Sequence, residues 1–216
     1  MHGFLLNIFL NHYILIAACI AAIRFKTIAK DFKPFIFLIW LGLLNETVSL
    51  VLIYTKGYNT LNSNIYVLIE CLLILYQFYC WAILTKRLHF SLLFASLLVW
   101  VLDNLLWHPL TADNSVFRIF YSFLIICCSV KQVNNLAENE QSSLIKNPVF
   151  LICAAFIMYY SCKAFVEAFN AFHIHFSLVW YRNVFTILYI ADFISNIIYA
   201  IALICIPRKQ AFTMQY

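Results

Sequence analysis

SNIYVLIECLLILYQFYCWAIL, residues 63–84, has the length and apolar content of a membrane-spanning helix, interrupted by the acid Glu70 about two turns in. TILYIADFISNIIYAIALICI, residues 186–206, repeats the pattern with Asp192 at a similar depth. An ionised side chain facing lipid costs several kcal/mol, so each acid calls for a partner or for water inside a bundle. The rest of the chain places these two segments in a larger set. Of its 216 residues 65% are hydrophobic and 11% charged, with only three glycines and four prolines, which is the composition of a membrane protein and excludes an ordinary soluble domain.

A bilayer core about 30 Å thick needs roughly 20 apolar residues per helix. Seven segments meet this: 3–25, 34–56, 63–84, 88–107, 115–131, 148–169 and 180–206, the fifth being the shortest. Pro34 and Pro148 open their segments, where a missing N–H costs little. The expected fold is therefore an all-α membrane protein, a seven-transmembrane-helix bundle forming a single polytopic domain over residues 1–216 with no soluble domain. The first segment lacks the basic start and small-residue cleavage site of a signal peptide, and reads as a helix that stays attached.

Charge alternates between the loops. Arg24, Lys26, Lys30 and Lys33 follow the first segment, Lys86 and Arg87 the third, Lys131 and Lys146 flank the loop after the fifth, and Arg208 and Lys209 follow the seventh. The opposite loops (GYNTLNSN, HPLTADN and FNAFHIHFS) contain neither lysine nor arginine. By the positive-inside rule the N-terminus lies outside and the C-terminus in the cytoplasm of a plasma membrane, here read as a bacterial inner membrane. The formal charge of +5 orients the chain in this way and is not a nucleic-acid signal. The polar loop 132–147, on the cytoplasmic side, is a connector that a protein partner could use. All eight cysteines fall within apolar segments and none forms a C-x-x-C pair, so they read as small hydrophobes.

The ionisable residues cluster by depth. Glu46 lies near the middle of the second segment, and Glu70, Asp103, Arg118, Lys163, Glu167, Arg182 and Asp192 fall in the outer half or at the outer ends of theirs. Helical spacing aligns Ser63, Tyr66, Glu70 and Gln77 on one face, and Tyr189, Asp192, Ser195, Asn196 and Tyr199 on another. Asn45, Glu46 and Ser49 form a shorter group, Tyr159, Tyr160, Lys163, Glu167 and Asn170 a fourth, and Asn7, Asn11 and His12 can add to them. The expectation is a polar cavity facing outward, lined by Glu46, Glu70, Gln77, Lys163, Asp192 and Asn196, that binds or passes a small polar or cationic solute, with or without linkage to protons. The competing structural reading pairs Lys163 with Glu167 four residues on, and Arg118 and Arg182 with Asp103 and Asp192.

Aligning the ends of segments three and seven sets Glu70 opposite Asp192, and aligning Pro34 with Pro148 matches segments two and six, the pattern of a 3+1+3 parallel repeat. The layout is similar in architecture to that of SWEET-type sugar transporters and their PQ-loop relatives. None of the four prolines precedes a glutamine, so no site residue is carried over. The seventh segment has no lysine for a retinal Schiff base, which speaks against a rhodopsin. No cofactor motif is present, and a metal site drawn from His108, Asp103, His173 and His175 lacks the usual ligand spacing. A non-catalytic sensor or accessory subunit is the alternative function. A lipid-acting intramembrane hydrolase is the second, without a G-x-S-x-G or H-E-x-x-H motif to support it.

Overall fold

The computed structural model describes residues 13–112, 114–139, 144–171 and 178–207. Among these every regular element is a helix: α1 Ile14–Arg24, α2 Lys33–Lys56, α3 Thr60–Cys80, α4 Lys86–Val101, α5 Val116–Asn139, α6 Pro148–Ala171 and α7 Leu178–Cys205. Six of these, α2 to α7, are long and apolar enough to cross a membrane, which makes this a multi-pass membrane protein. The described part of α1 has 11 residues, and most of the first half of the expected first span lies outside the described residues.

Contacts run around a ring in the order α1, α2, α3, α5, α6, α7 and back to α1, while α4 packs outside it against α3 and α5. Lipid is as apolar as leucine, so helices in a bilayer associate through close packing and hydrogen bonds. Small residues supply the first: Ala17 and Ala21 on α1 and Ala202 on α7 are fully buried. At Gly42 of α2 an added Cβ would lie 2.6 Å from Ile14 Cδ1 of α1, so a larger residue would force the two helices apart or Ile14 to move.

Hydrogen bonds define two ends. At one, Arg24 of α1 donates to the last carbonyls of α7, at Leu203, at Ile204 (2.7 Å) and at Ile206 (2.8 Å), groups no later helical turn can satisfy. Lys131 of α5 reaches Ile83 O beyond α3 at the same end. At the other end Thr60 Oγ1 donates to Thr111 O, and Asn64 Nδ2 to Leu110 O and Ala112 O, fastening the α4–α5 connection to the start of α3. The basic residues Arg24, Lys26, Lys30, Lys33, Lys86 and Arg87 belong to the first end.

Two expected boundaries move. The third segment stops at Cys80 rather than at residue 84, because Ala82 adopts the left-handed conformation (φ 58°). Ile83 N donates to Phe78 O and Ala82 N to Tyr79 O, the bonding of a Schellman cap, with Ile83 buried against the core. The fifth segment is the larger correction. Expected to be the shortest and to end at residue 131, it runs to Asn139, and half of the expected loop 132–147 is helical. Leu136, Ala137 and Glu138 favour helix, and Gln132 and Val133 pack onto the core, so the polar composition that suggested a loop is that of a helix leaving the apolar layer.

Within α4 the last turn widens into a π-helical stretch, Leu102–Trp107. It buries Asp103 and Asn104 and leaves Leu105, Leu106 and Trp107 exposed. Asp103 Oδ2 thereby accepts from Phe117 N at 2.8 Å, satisfying an amide in the first turn of α5.

Ala82 yields a direct test. It is exposed, so replacement loses no packing. A left-handed L-residue carries a penalty of about 1–2 kcal/mol that glycine avoids, partly offset by glycine's entropy in the unfolded chain. Ala82→Gly is expected to stabilise the protein by up to about 1 kcal/mol, read as a higher melting temperature in detergent; unchanged or lower melting would contradict the cap.

Candidate functional site: an acidic, aromatic cavity

Between α2, α3, α6 and α7, near the end away from the basic residues, lies a cavity of about 470 Å³. Its charged lining is acidic: Glu46 from α2, Glu70 from α3 and Asp192 from α7, with no lysine, arginine or histidine among the described lining residues. Asn45, Asn59, Ser63 and Asn196 add polar groups, and Tyr66, Phe156, Tyr159 and Tyr199 add aromatic walls.

Toward the basic end the cavity stops on rings. Phe156 and Tyr199 line it and pack against the fully buried Phe35, with ring centroids 6.5 Å and 5.4 Å from it. Phe78 continues the layer, 6.2 Å from Phe156. Ile36, Ile74, Leu75 and Ile152 pack in the same buried core as these rings.

The three acids differ in their partners. Glu70 is bonded on both oxygens: Tyr66 Oη donates to Oε1 at 3.0 Å, Tyr121 Oη to Oε2 at 2.7 Å, and Lys163 Nζ lies 3.4 Å from Oε2. Lys163 is buried, with its ammonium 5.0 Å, 5.4 Å and 5.6 Å from the ring centroids of Tyr121, Tyr159 and Tyr160. An ammonium removed from water is held by a carboxylate and by the negative faces of rings, a cation–π contact being worth up to about 2 kcal/mol when desolvated. Glu46 differs: its Oε2 is buried and has no hydrogen-bond partner among the described residues. Asp192 shares the lining with it, so the two charges repel, while Lys163 attracts Asp192 and Asn196 stands beside it.

Of the structural pairings foreseen, those of Lys163 with Glu167 and of Arg118 with Asp103 are not made. Lys163 bonds Glu70 across the bundle, not Glu167 four residues along its own helix. Glu167 takes Arg118 at 3.3 Å and Ser115 Oγ at 2.7 Å. Arg118 also donates to Ser63 Oγ and Asn64 Oδ1, so it does not neutralise Asp103, whose side chain meets His108 Nδ1 at 3.2 Å. Lys163 and Glu167 each take a partner on a neighbouring helix, whereas Asp103 meets a histidine five residues along its own segment. The side chain of Arg182 and residues Asn7, Asn11, His12, His173, His175, Arg208 and Lys209 lie outside the described residues.

Of the six residues proposed from sequence, Glu46, Glu70, Asp192 and Asn196 line one cavity. Lys163 stands behind Glu70 in its wall. Gln77 is elsewhere. One full stripe below Glu70, its Oε1 accepts from Phe35 N at 2.7 Å and its Nε2 donates to Asp31 O at 2.6 Å, holding the chain where α2 begins. The stripe continues to the basic end, but the cavity stops at the aromatic floor above it. Phe156 and Asn59 had not been singled out. Phe156 stands seven residues before Lys163 on the same helical face and was legible by spacing, whereas Asn59 sits in a turn with no periodic signal.

No protein-family model, curated protein or solved structure matches this chain. The chemistry of the cavity therefore stands on its residues alone.

The unequal partners of the acids separate structural from available carboxylates. Removing one member of a buried ion pair costs about 3–5 kcal/mol, so Glu70→Gln and Lys163→Met are each expected to lower the melting temperature sharply. Glu46→Gln removes a charge that only repels its neighbour, and is expected to leave melting unchanged or raise it. Comparable losses for Glu46→Gln and Glu70→Gln would refute the distinction.

Proposed function

We propose that this protein binds a small polar or cationic solute in the acidic cavity and passes it across the membrane. The observation that carries the reading is the imbalance of charge. Three carboxylates, Glu46, Glu70 and Asp192, share the cavity, and among the described residues Lys163, bonded to Glu70, is the base that stands against them. A 470 Å³ cavity with aromatic walls and a few converging polar groups is of the size and kind that hold small ligands.

In this reading the first span is completed by the residues before Ile14, the bundle has seven spanning helices, and the basic end faces the cytoplasm of a bacterial inner membrane. The cavity then faces outward. The ring order of contacts is unchanged when α1–α3 exchange with α5–α7, which supports a 3+1+3 repeat with Glu70 and Asp192 in equivalent places and α4 as the linker.

One observation favours a second reading, a sensor or accessory subunit that binds the solute without moving it. The floor of Phe35, Phe78, Phe156 and Tyr199 closes the path toward the basic end, and α3, α5, α6 and α7 contain no glycine and no proline after the first residue to serve as a hinge. Output would then run through a protein partner, for which the polar end of α5 within 132–147 is the proposed contact.

Uptake into proteoliposomes discriminates between the two. Ethanolamine, methylammonium and glycerol serve as probes, with wild type set against Asp192→Asn. Passage predicts uptake of a cationic probe that falls by about tenfold or more in the variant, a loss of about 1.4 kcal/mol, while melting is retained. Binding without uptake supports the sensor. Neither binding nor uptake of any probe would overturn the cavity as a solute site.

A further inference from the structure

The unsatisfied atoms of the cavity narrow the class of solute. Asn196 is 4% exposed and lines the cavity. Its Nδ2 donates to Asp192 O at 3.0 Å, which fixes the amide's orientation and leaves Oδ1 as the free end, with no partner among the described residues. The second orphan in the lining, Glu46 Oε2, is also an acceptor. Buried polar groups are nearly always paired, so two unpaired acceptors in one cavity mark the place of a missing donor.

Positive charge on that donor matches the lining, because Glu46, Glu70 and Asp192 share the cavity with Lys163 as the base beside them among the described residues. A quaternary ammonium has charge but no N–H. A neutral alcohol has a donor but no charge. A bare metal ion would leave most of the 470 Å³ and the faces of Tyr66, Phe156, Tyr159 and Tyr199 without contact, and the described residues contain no group of three His, Cys, Asp or Glu arranged to hold one. A primary ammonium supplies charge and three donors at one atom, and an apolar body attached to it would lie against the rings.

Resting on the reading of the cavity as a solute site, we infer that it recognises a primary amine with a small aromatic or aliphatic body, its ammonium between Glu46 and Asp192 and donating to Asn196 Oδ1. Glu70 belongs to the wall in this arrangement. Its two oxygens are already taken, so Lys163 is not displaced when the amine enters.

The test is calorimetric titration and thermal melting of the full chain in detergent with three matched probes: 2-phenylethylamine, its N,N,N-trimethyl derivative and 2-phenylethanol. Sodium chloride alone is the control. The amine is expected to bind and to raise the melting temperature, with the other two at least about tenfold weaker. Asn196→Leu should bring the amine and its trimethyl derivative to similar affinities, and Glu46→Gln with Asp192→Asn should remove the preference for the amine over the alcohol. If a variant does not fold, the wild-type series still decides. Equal or tighter binding of the trimethyl derivative overturns the N–H donor and leaves a cation cavity. Equal binding of the alcohol overturns the amine and leaves a cavity for neutral polar solutes. The same response to sodium chloride overturns the organic ligand. No binding by any of the three overturns the amine and the solute site together.

Discussion

The contact between Lys163 and Glu70 organises the polar half of this bundle. It joins α3 to α6, and through Tyr121 it brings in α5, so three helices meet at one buried charge pair. In a bilayer, where apolar surface gives helices little reason to prefer one another over lipid, such a polar contact supplies orientation that hydrocarbon cannot. It also sets the electrostatics of the cavity, because it occupies the base that stands beside the lining among the described residues. Had Lys163 paired with Asp192, the available acid would have been Glu70, on the opposite wall.

The molecule is layered along its helices. The basic end is closed by backbone satisfaction: Arg24 on the carbonyls at the end of α7, and Gln77 on the chain entering α2. Above it comes a core of mixed aliphatic and aromatic side chains, then the acidic cavity, and toward the far end a second polar cluster of Arg118, Glu167, Ser115 and Asn64. Ser63 lies at the junction, lining the cavity and accepting from Arg118. This cluster fastens α3, α5 and α6 at their ends, so the walls of the cavity are fixed from both sides. The geometry suits recognition by a preformed site, in which little binding energy goes into ordering side chains.

Short-range features were legible in the sequence wherever the cause was local. The alternation of basic and base-free loops, the apolar run lengths, and Pro34 and Pro148 at helix starts all act through the residues that carry them, and the second, fourth, sixth and seventh helices lie close to where the composition puts them. The end of α3 was not legible, because Ala82 does the work usually given to glycine and nothing in its identity announces a left-handed turn. The extension of α5 was obscured because polarity marks the edge of the membrane and not the end of a helix.

The candidate site divides along the same line. Periodicity alone puts Glu70 on one face of its helix and Asp192 and Asn196 on one face of theirs, since a face follows from 3.6 residues per turn. What periodicity cannot hold is which face meets which. Lys163 stands four residues before Glu167 and yet bonds Glu70, 93 positions away, because ring closure brings α3 and α6 together around α5. Gln77 shares the stripe of Glu70 and leaves the cavity because the rings of Phe156 and Tyr199 close it above the level of Gln77, which bonds the chain at Phe35. Depth and helical face are properties of a single segment, and the sequence by itself determined them. Partnership depends on the packing of several helices at once, and only the tertiary structure decided which base each acid takes among the described residues.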